Sequence, residues 1–369
     1  MNQNSALRIV GVDPELAFAG GESQVLGLTR ELNRQGSCAE LLCDPDGELW
    51  KRAQAQGVRC FPLRIRNALD VAAGIRLRRF LRIKHYDVVH FHTARAHALA
   101  PWARGCAGAM IVTRRMDYRP NRFFARWLFH HAVDRVVAIS SGVAEAMVAS
   151  GVARARIKII PSGVDTFRFR PPSEHEREEA RAAWRIGPQQ IAIGAVGQLT
   201  ERKGHCYLID AISKLRGLVS RPIRCVIAGA GPLADNLKAQ AAALRLENAL
   251  TVAGPILDPL ALLWALDVFA LPSLNEGLGV ALLEAMACGL ACVASRTGGI
   301  VEAIEDGHSG FLVKSASSQE LAGQLARLVA EAQLRSQVGA QARLRAVERF
   351  SLRSMAQSTM ELYSASLSR

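Results

Sequence analysis

With 369 residues, half of them hydrophobic and 21% charged, the chain has apolar material for two domains of ordinary size and not the composition of a disordered segment. Its eight cysteines (38, 43, 60, 106, 206, 225, 288 and 292) are scattered without a CxxC pair, so neither a zinc site nor a disulfide framework is expected. The net charge of +13 is concentrated, because residues 1–170 hold 26 Lys and Arg against 14 Asp and Glu while residues 171–369 hold 20 against 19. Such a field favours anionic partners, but it comes without the aromatic surface or motif of a nucleic-acid binder.

The opening MNQNSALRIVGV lacks the basic region and long apolar run of a signal peptide. The most apolar stretch, 259–272, is too short to span a bilayer and is interrupted by Asp267. A cytoplasmic chain is expected, at most peripheral on the inner face of the cytoplasmic membrane. Residues 7–12 read as a buried strand, followed by a Gly20-Gly21 loop and a helix over 23–35 with apolar residues at 25, 26, 28 and 32. Further strands are expected at 39–43, 58–63, 87–91, 110–112, 135–139 and 158–160. Asp44-Pro45-Asp46 reads as a turn and not as a metal site. His90-Phe91-His92 closes the strand at 87–91, and alternation puts both histidines on one face, with no third ligand at motif spacing to make a metal site. Arg114, Arg115 and Arg119, with Arg122 and Arg126 beyond, follow the next strand, where arginines meet a phosphate or carboxylate on an acceptor. The charged, proline-bearing segment 170–188 reads as a domain linker with a short helix. Strands resume at 191–196, 224–228, 250–253, 268–271, 291–295 and 310–313, and helices follow from 318. This alternation is that of parallel, doubly wound α/β domains, whose ligands bind beyond the carboxyl ends of the strands.

Three motifs of the second half follow strands. Gly197-Gln198-Leu199-Thr200-Glu201-Arg202-Lys203-Gly204 sets two cations before a helix, where they neutralise a diphosphate. Gly229, Gly231 and Ala234 form a weak dinucleotide fingerprint, but the acid it needs at the end of the next strand is missing, since Glu247 precedes the strand at 250. Glu276 and Glu284 stand with seven residues between them among glycines at 277, 279, 289, 298 and 299. Glu276 lies in a glycine-bearing loop at a helix N-terminus, a ready phosphate site, and Glu284 lies inside the helix that Gly289 stops. A carboxylate there needs neutral hydrogen-bond donors, and sugar or ribose hydroxyls are the obvious ones.

This spacing, with the small-residue helix Ala285-Met286-Ala287-Cys288-Gly289, strongly resembles the paired-glutamate signature of the family 4 (group 1) retaining glycosyltransferases of the bacterial cell-surface glycan and lipopolysaccharide type. Two positions depart from the family pattern: Ala291 stands where proline is usual, and Gln198 where the phosphate loop usually has arginine. The resemblance implies the GT-B fold, two Rossmann-like doubly wound domains facing across a cleft. Residues 1–168 would be the acceptor-binding domain, 169–349 the nucleotide-sugar domain, and 350–369 a helix crossing back. It implies donor binding by Gly20, Gly21, Gln198, Arg202, Lys203, Gly229, Gly231, Glu276, Gly277, Leu278, Gly279 and Glu284. Glu284 would hold ribose hydroxyls and Glu276 the donor sugar. Among the catalytic positions His92 would stand beside the transferred sugar with His90 in support, and Lys203 would stabilise the leaving diphosphate. Retention without a metal or other cofactor is implied, with UDP-sugars first among donors and GDP-mannose next. The basic first domain points to an anionic or lipid-linked glycan acceptor, such as lipopolysaccharide core, and to contact with an anionic membrane surface, where each basic residue adds about 1 kcal/mol. A sugar-nucleotide epimerase on the same fold and a nicotinamide-dependent oxidoreductase are the rival readings.

Overall fold

Short runs rich in Val, Ile, Leu and Ala, buried on both sides, form the strands, as expected where helices cover both faces of a parallel sheet. The computed structural model describes residues 6–67, 70–116 and 122–368. The chain divides into two compact units, Met1–Gly163 with Leu352–Arg369, and Val164–Ser351.

In the first unit the strands are β1 (Arg8–Asp13), β2 (Cys38–Cys43), β3 (Cys60–Pro62), β4 (Tyr86–Phe91), β5 (Ala107–Arg114), β6 (Arg135–Ala138) and β7 (Ile157–Ile159). They lie parallel in the order β3-β2-β1-β4-β5-β6-β7, so the winding reverses between β1 and β4. One face of the sheet buries Val10, Val12, Val89, Phe91 and Val112 with Leu77 and Leu81 of the helix Val71–Lys84. The other buries Ile9, Val88 and Ile111 with Leu28 and Leu32 of the helix Gly20–Arg34, and with Met355 and Tyr363 of the helix Leu352–Leu367. The last helix approaches so closely that a Cβ on Gly27 would lie 2.8 Å from Leu352. It is also tied by chemistry: buried His90 has Nδ1 2.6 Å from the Tyr363 hydroxyl and Nε2 2.6 Å from the Thr113 hydroxyl.

The second unit holds β8 (Ile191–Val196), β9 (Ile223–Ala228), β10 (Leu250–Ala253), β11 (Val268–Leu271), β12 (Ala291–Ser295) and β13 (Phe311–Val313). Their order is β10-β9-β8-β11-β12-β13, again parallel, with the reversal between β8 and β11. Ile193, Ile227, Val268, Ala270 and Val293 pack against Leu208 and Ile212 of the helix His205–Leu215 and Leu321 and Leu325 of the helix Ser318–Ala330. The segment 170–188 is more than a linker. Its helix Glu174–Ala183, capped by the Ser173 side chain, sends Arg177 and Arg181 onto Asp267 at 2.7 and 3.1 Å, and Asp267 also accepts from Ala192 N at 2.8 Å.

Replacing Tyr363 by Phe removes one of the two partners of a fully buried imidazole. The expected loss is about 1–3 kcal/mol of unfolding free energy, read by chemical denaturation against the native chain.

Candidate active site

In a doubly wound sheet the loops after the two strands flanking the reversal open a crevice at their carboxyl ends. In the second unit these are residues 197–204 after β8 and 272–279 after β11. The two loops are pinned to each other. Lys203 Nζ donates to Glu276 Oε2, Arg202 Nη1 lies 3.6 Å from Glu276 Oε1, and Ser273 Oγ donates to Oε2 at 3.3 Å. Arg202 also donates to the Asn275 carbonyl at 3.1 Å, and Leu274 N donates to the Arg202 carbonyl at 2.8 Å. A third loop braces the second: Thr297 Oγ1 donates to the Leu274 carbonyl at 3.0 Å and Gly299 N to the Glu276 carbonyl at 3.1 Å. Lys203 and Glu276 are nearly buried, so two cations converge on one shielded carboxylate beside the N-terminus of the helix Val280–Ala287.

That helix begins at Gly279, whose φ of +82° suits a residue without Cβ. Gly277 is buried, and Leu278 is buried at 1% exposure, so what Leu278 offers the crevice is backbone. Glu284 keeps a partly exposed surface, and among the described residues no hydrogen bond or ion pair holds its carboxyl. Burial pushes it up to about 8; Arg168 opposes the rise and Asp258 adds to it. Gln198 is exposed at the loop tip. Gly229 and Gly231 have an additional reason to be glycine, because Cβ atoms there would lie 1.8 Å from the Gly197 carbonyl oxygen and 2.4 Å from that of Leu199. They let the loop after β9 interlock with the loop after β8. His205, the first residue of its helix, carries no motif signal in the sequence. It is buried, and burial together with the neighbouring Lys203 charge lowers it to about 4, opposed by a hydrogen bond with the Gln198 backbone.

In the first unit the corresponding loops follow β1 and β4. Gly20 and Gly21 are the first two residues of the helix and not part of the loop before it. The helix starts early because the Glu22 carboxylate reaches back to Ala19 N at 2.7 Å, capping the turn that Ala19 itself cannot cap. His92 N donates to the Val12 carbonyl at 3.0 Å, placing the residue just beyond β4, and burial holds its imidazole well below its ordinary pKa. A Cβ on Gly11 would come within 3.3 Å of His92 Nε2, so this glycine leaves the ring its room. Arg114 is buried as the last residue of β5. Arg115 lies beside Gly21, with Asp13 and Glu22 attracting its charge and burial lowering it to about 10. Arg119 lies outside the described residues. Asp13 and Glu22, both buried, were not singled out by the sequence, where an acid at the end of a strand is the only signal.

The model of the glycosyl transferases group 1 matches residues 176–345, and that of glycosyltransferase family 4 matches residues 18–168. The chain belongs to the group 1, family 4 glycosyltransferases. Among its curated relatives, α-maltose-1-phosphate synthase of Mycolicibacterium smegmatis is 28% identical over 75% of this chain and 73% of its own. D-inositol 3-phosphate glycosyltransferase of Corynebacterium urealyticum is 33% identical over 57% of this chain and 51% of its own, so this match spans about half of that relative. Anabaena HepE, solved with UDP and glucose, aligns with a TM-score of 0.86 over 97% of this chain and all of its own at 21% identity. A glycosyltransferase from Rickettsia africae aligns with a TM-score of 0.88 over 99% of each chain, also at 21% identity. The fold is that of the GT-B glycosyltransferases. A nicotinamide-dependent oxidoreductase gives way to this membership, in keeping with the missing acid after Gly229 and Gly231.

In the glycosyltransferase, Glu284 titrates in the fold at about 8 and in an unfolded chain near 4.5, so its ionisation opposes folding. The stability cost is absent at low pH and grows as pH rises through that window. Glu284→Gln is therefore expected to melt at or above the wild-type temperature at pH 9 and to lose that advantage at pH 5, as read by thermal scans across pH.

Proposed function

We propose that this glycosyltransferase moves a hexose from a UDP-sugar, GDP-mannose being the next donor to try, to a hydroxyl of an anionic acceptor, with retention and without a metal. The observation that carries the reading is the convergence of Arg202, Lys203 and Glu276 at the crevice of the second unit, with Glu284 unbonded on the adjoining helix. Arg202 and Lys203 supply the positive charge that a departing diphosphate needs, with backbone N–H groups at Gly279 and Val280 as further donors. Glu284 takes ribose hydroxyls and Glu276 takes hydroxyls of the transferred sugar. Because Lys203 holds Glu276 at a fixed place, the same lysine orients the sugar's partner and answers the phosphate charge. Gly20, Gly21, Gln198, Gly229, Gly231, Gly277, Leu278 and Gly279 complete the donor set through backbone. His92, held neutral by burial, accepts from or donates to the transferred sugar. With no carboxylate assigned as covalent nucleophile, front-face substitution is the route. Anabaena HepE, solved both with UDP and glucose and with UDP-glucose, supports this choice of donor.

For the acceptor, Arg114, Arg115 and Arg119 and the basic balance of residues 1–170 favour an anionic or lipid-linked surface glycan such as lipopolysaccharide core. A galactosyltransferase of the lipopolysaccharide outer core shares the fold at a TM-score of 0.72 and 17% identity. A small phosphorylated sugar or cyclitol is the second reading, because one relative is named a synthase of α-maltose 1-phosphate and another a glycosyltransferase of D-inositol 3-phosphate. Among the described residues no helix is long and apolar enough to cross a membrane. The helix Val71–Lys84 carries no acidic residue and exposes Val71, Ile75 and Ile83 together with Arg76, Arg79 and Arg82, a face suited to peripheral contact with anionic lipid at the cytoplasmic side of the membrane.

Release of nucleotide from UDP-, GDP- and ADP-sugars, with and without acceptors, tests the reading. Glu284→Ala is expected to weaken nucleotide binding tenfold or more, and Glu276→Ala to lower turnover by about two orders of magnitude with less effect on binding. Wild-type kinetics in both variants sink the assignment, and full turnover to an epimeric nucleotide sugar without acceptor favours the epimerase. On vesicles, Ile75→Asp and Arg79→Glu together are expected to reduce flotation with phosphatidylglycerol membranes at low salt. Unchanged flotation removes that helix from the membrane reading.

A further inference from the structure

The reversal point of the first sheet carries a group of buried ionisable side chains, of which the donor reading uses His92 alone. Asp13 ends β1 and His92 follows β4, and these strands are paired with Gly11 opposite His90 and Val12 opposite Phe91. Alternation then puts Asp13 and His92 side by side on the face of Gly11 and His90. Asp13 is 1% exposed and His92 5%. Asp13 Oδ1 accepts from Glu15 N at 3.2 Å, whereas Asp13 Oδ2, His92 Nδ1 and Arg115 Nε are buried without hydrogen-bond partners. The charged and titratable neighbours are Glu22 of the helix Gly20–Arg34, Glu15 bound to Arg95, the Cys43 thiol of β2, and Arg115. Three orphaned polar atoms at the carboxyl ends of the adjacent strands β1, β4 and β5 are uncommon in a folded chain, where such groups are nearly always paired. Burial, with the Glu22 charge adding, pushes Asp13 up to about 7, so the fold keeps here a carboxyl that works against its own stability.

The donor set narrows the ligand. Two carboxyls beside one arginine make a poor seat for a phosphate, and among the described residues no three His, Cys, Asp or Glu side chains are placed to hold a metal ion. Neighbouring ring hydroxyls fit, because each both donates and accepts: they donate to carboxyl oxygens and accept from guanidinium or imidazole N–H. We propose that Asp13, with Glu22, His92 and Arg115 around it, binds ring hydroxyls of the acceptor sugar or cyclitol, Asp13 Oδ2 accepting one of them. The assignment rests on the transferase reading for the word acceptor, but the polyol site itself stands on the first unit's own geometry. It gives the basic first unit a neutral-ring contact beside its anion contacts, so that an acceptor's ring is recognised as well as its charge.

Calorimetry on the full chain tests this, with myo-inositol, D-glucose, D-inositol 3-phosphate and glucose 1-phosphate as probes, and with UDP titrated separately. The wild-type chain is expected to bind at least one polyol. Asp13→Asn, which keeps the acceptor for Glu15 N–H, is expected to weaken that binding tenfold or more at an unchanged affinity for UDP. The same variant is expected to melt higher than wild type above pH 7, since it removes a buried ionisable carboxyl, an outcome that a merely structural aspartate would reverse. Asp46→Asn, an exposed acid of the same unit, is the control and leaves both affinities in place. Polyol affinity equal to wild type in Asp13→Asn, a fall in its melting temperature, or no binding of any probe by the wild-type chain overturns the proposal. Binding of polyols through Asp13 with no affinity for any nucleotide sugar overturns the transferase reading and leaves the polyol site standing.

Discussion

The contact between Lys203 and Glu276 joins two loops that arrive from opposite sides of a strand reversal, and the geometry proposed for the donor site depends on it. Strand order alone opens a crevice between β8 and β11; it does not fix where the loops beyond those strands sit. Side-chain exposures of 12% for Lys203 and 10% for Glu276 mean that each charge is largely out of water, and deleting Glu276 would strand Lys203 at a cost of about 3–5 kcal/mol. Arg202 and Ser273 share the load on the same carboxylate, so its oxygens are fixed from three directions. The pair thereby holds a cation and an acceptor oxygen at set positions before any ligand arrives, the preorganisation that stabilises developing charge.

Glu284 is the complementary case. It sits on the helix that the same loop starts, yet among the described residues nothing bonds its carboxyl, and burial makes its charged form unfavourable. A ligand that donates hydroxyl hydrogen bonds would favour that charged form. The first unit repeats this logic at its own reversal, where Asp13 Oδ2 and His92 Nδ1 stay unpaired while His90, two residues back on the same face, is fully bonded to Tyr363 and Thr113. One histidine holds the returning helix; the other remains available.

Much of the scaffold is legible in the sequence because parallel strands covered on both faces leave continuous apolar runs. Residues 191–196 and 268–271 are read with the bounds that β8 and β11 take, and residues 7–12 fall within one position of β1. The reading fails where a side chain overrides the local pattern. Gly20 and Gly21 look like a loop, but Glu22 caps backward and draws them into the helix. The glycines at 229 and 231 look like a nucleotide cradle, while the structure gives them a packing reason against the backbone of Gly197 and Leu199. The segment 170–188 looks slack from its charges and prolines, yet its arginines converge on Asp267, ninety residues away in sequence from Arg177. Asp13, Glu22 and His205 are illegible because burial is a tertiary fact, and a lone acid or histidine in sequence does not carry it.

A crystal structure of the chain with UDP tests the central claim most directly. The account predicts the ribose hydroxyls on the Glu284 carboxylate and the diphosphate against Arg202, Lys203 and the backbone at the start of the helix Val280–Ala287. UDP bound instead along the Gly229–Gly231 turn with Glu284 empty, or Lys203 swung off Glu276 and away from the phosphates, would contradict it.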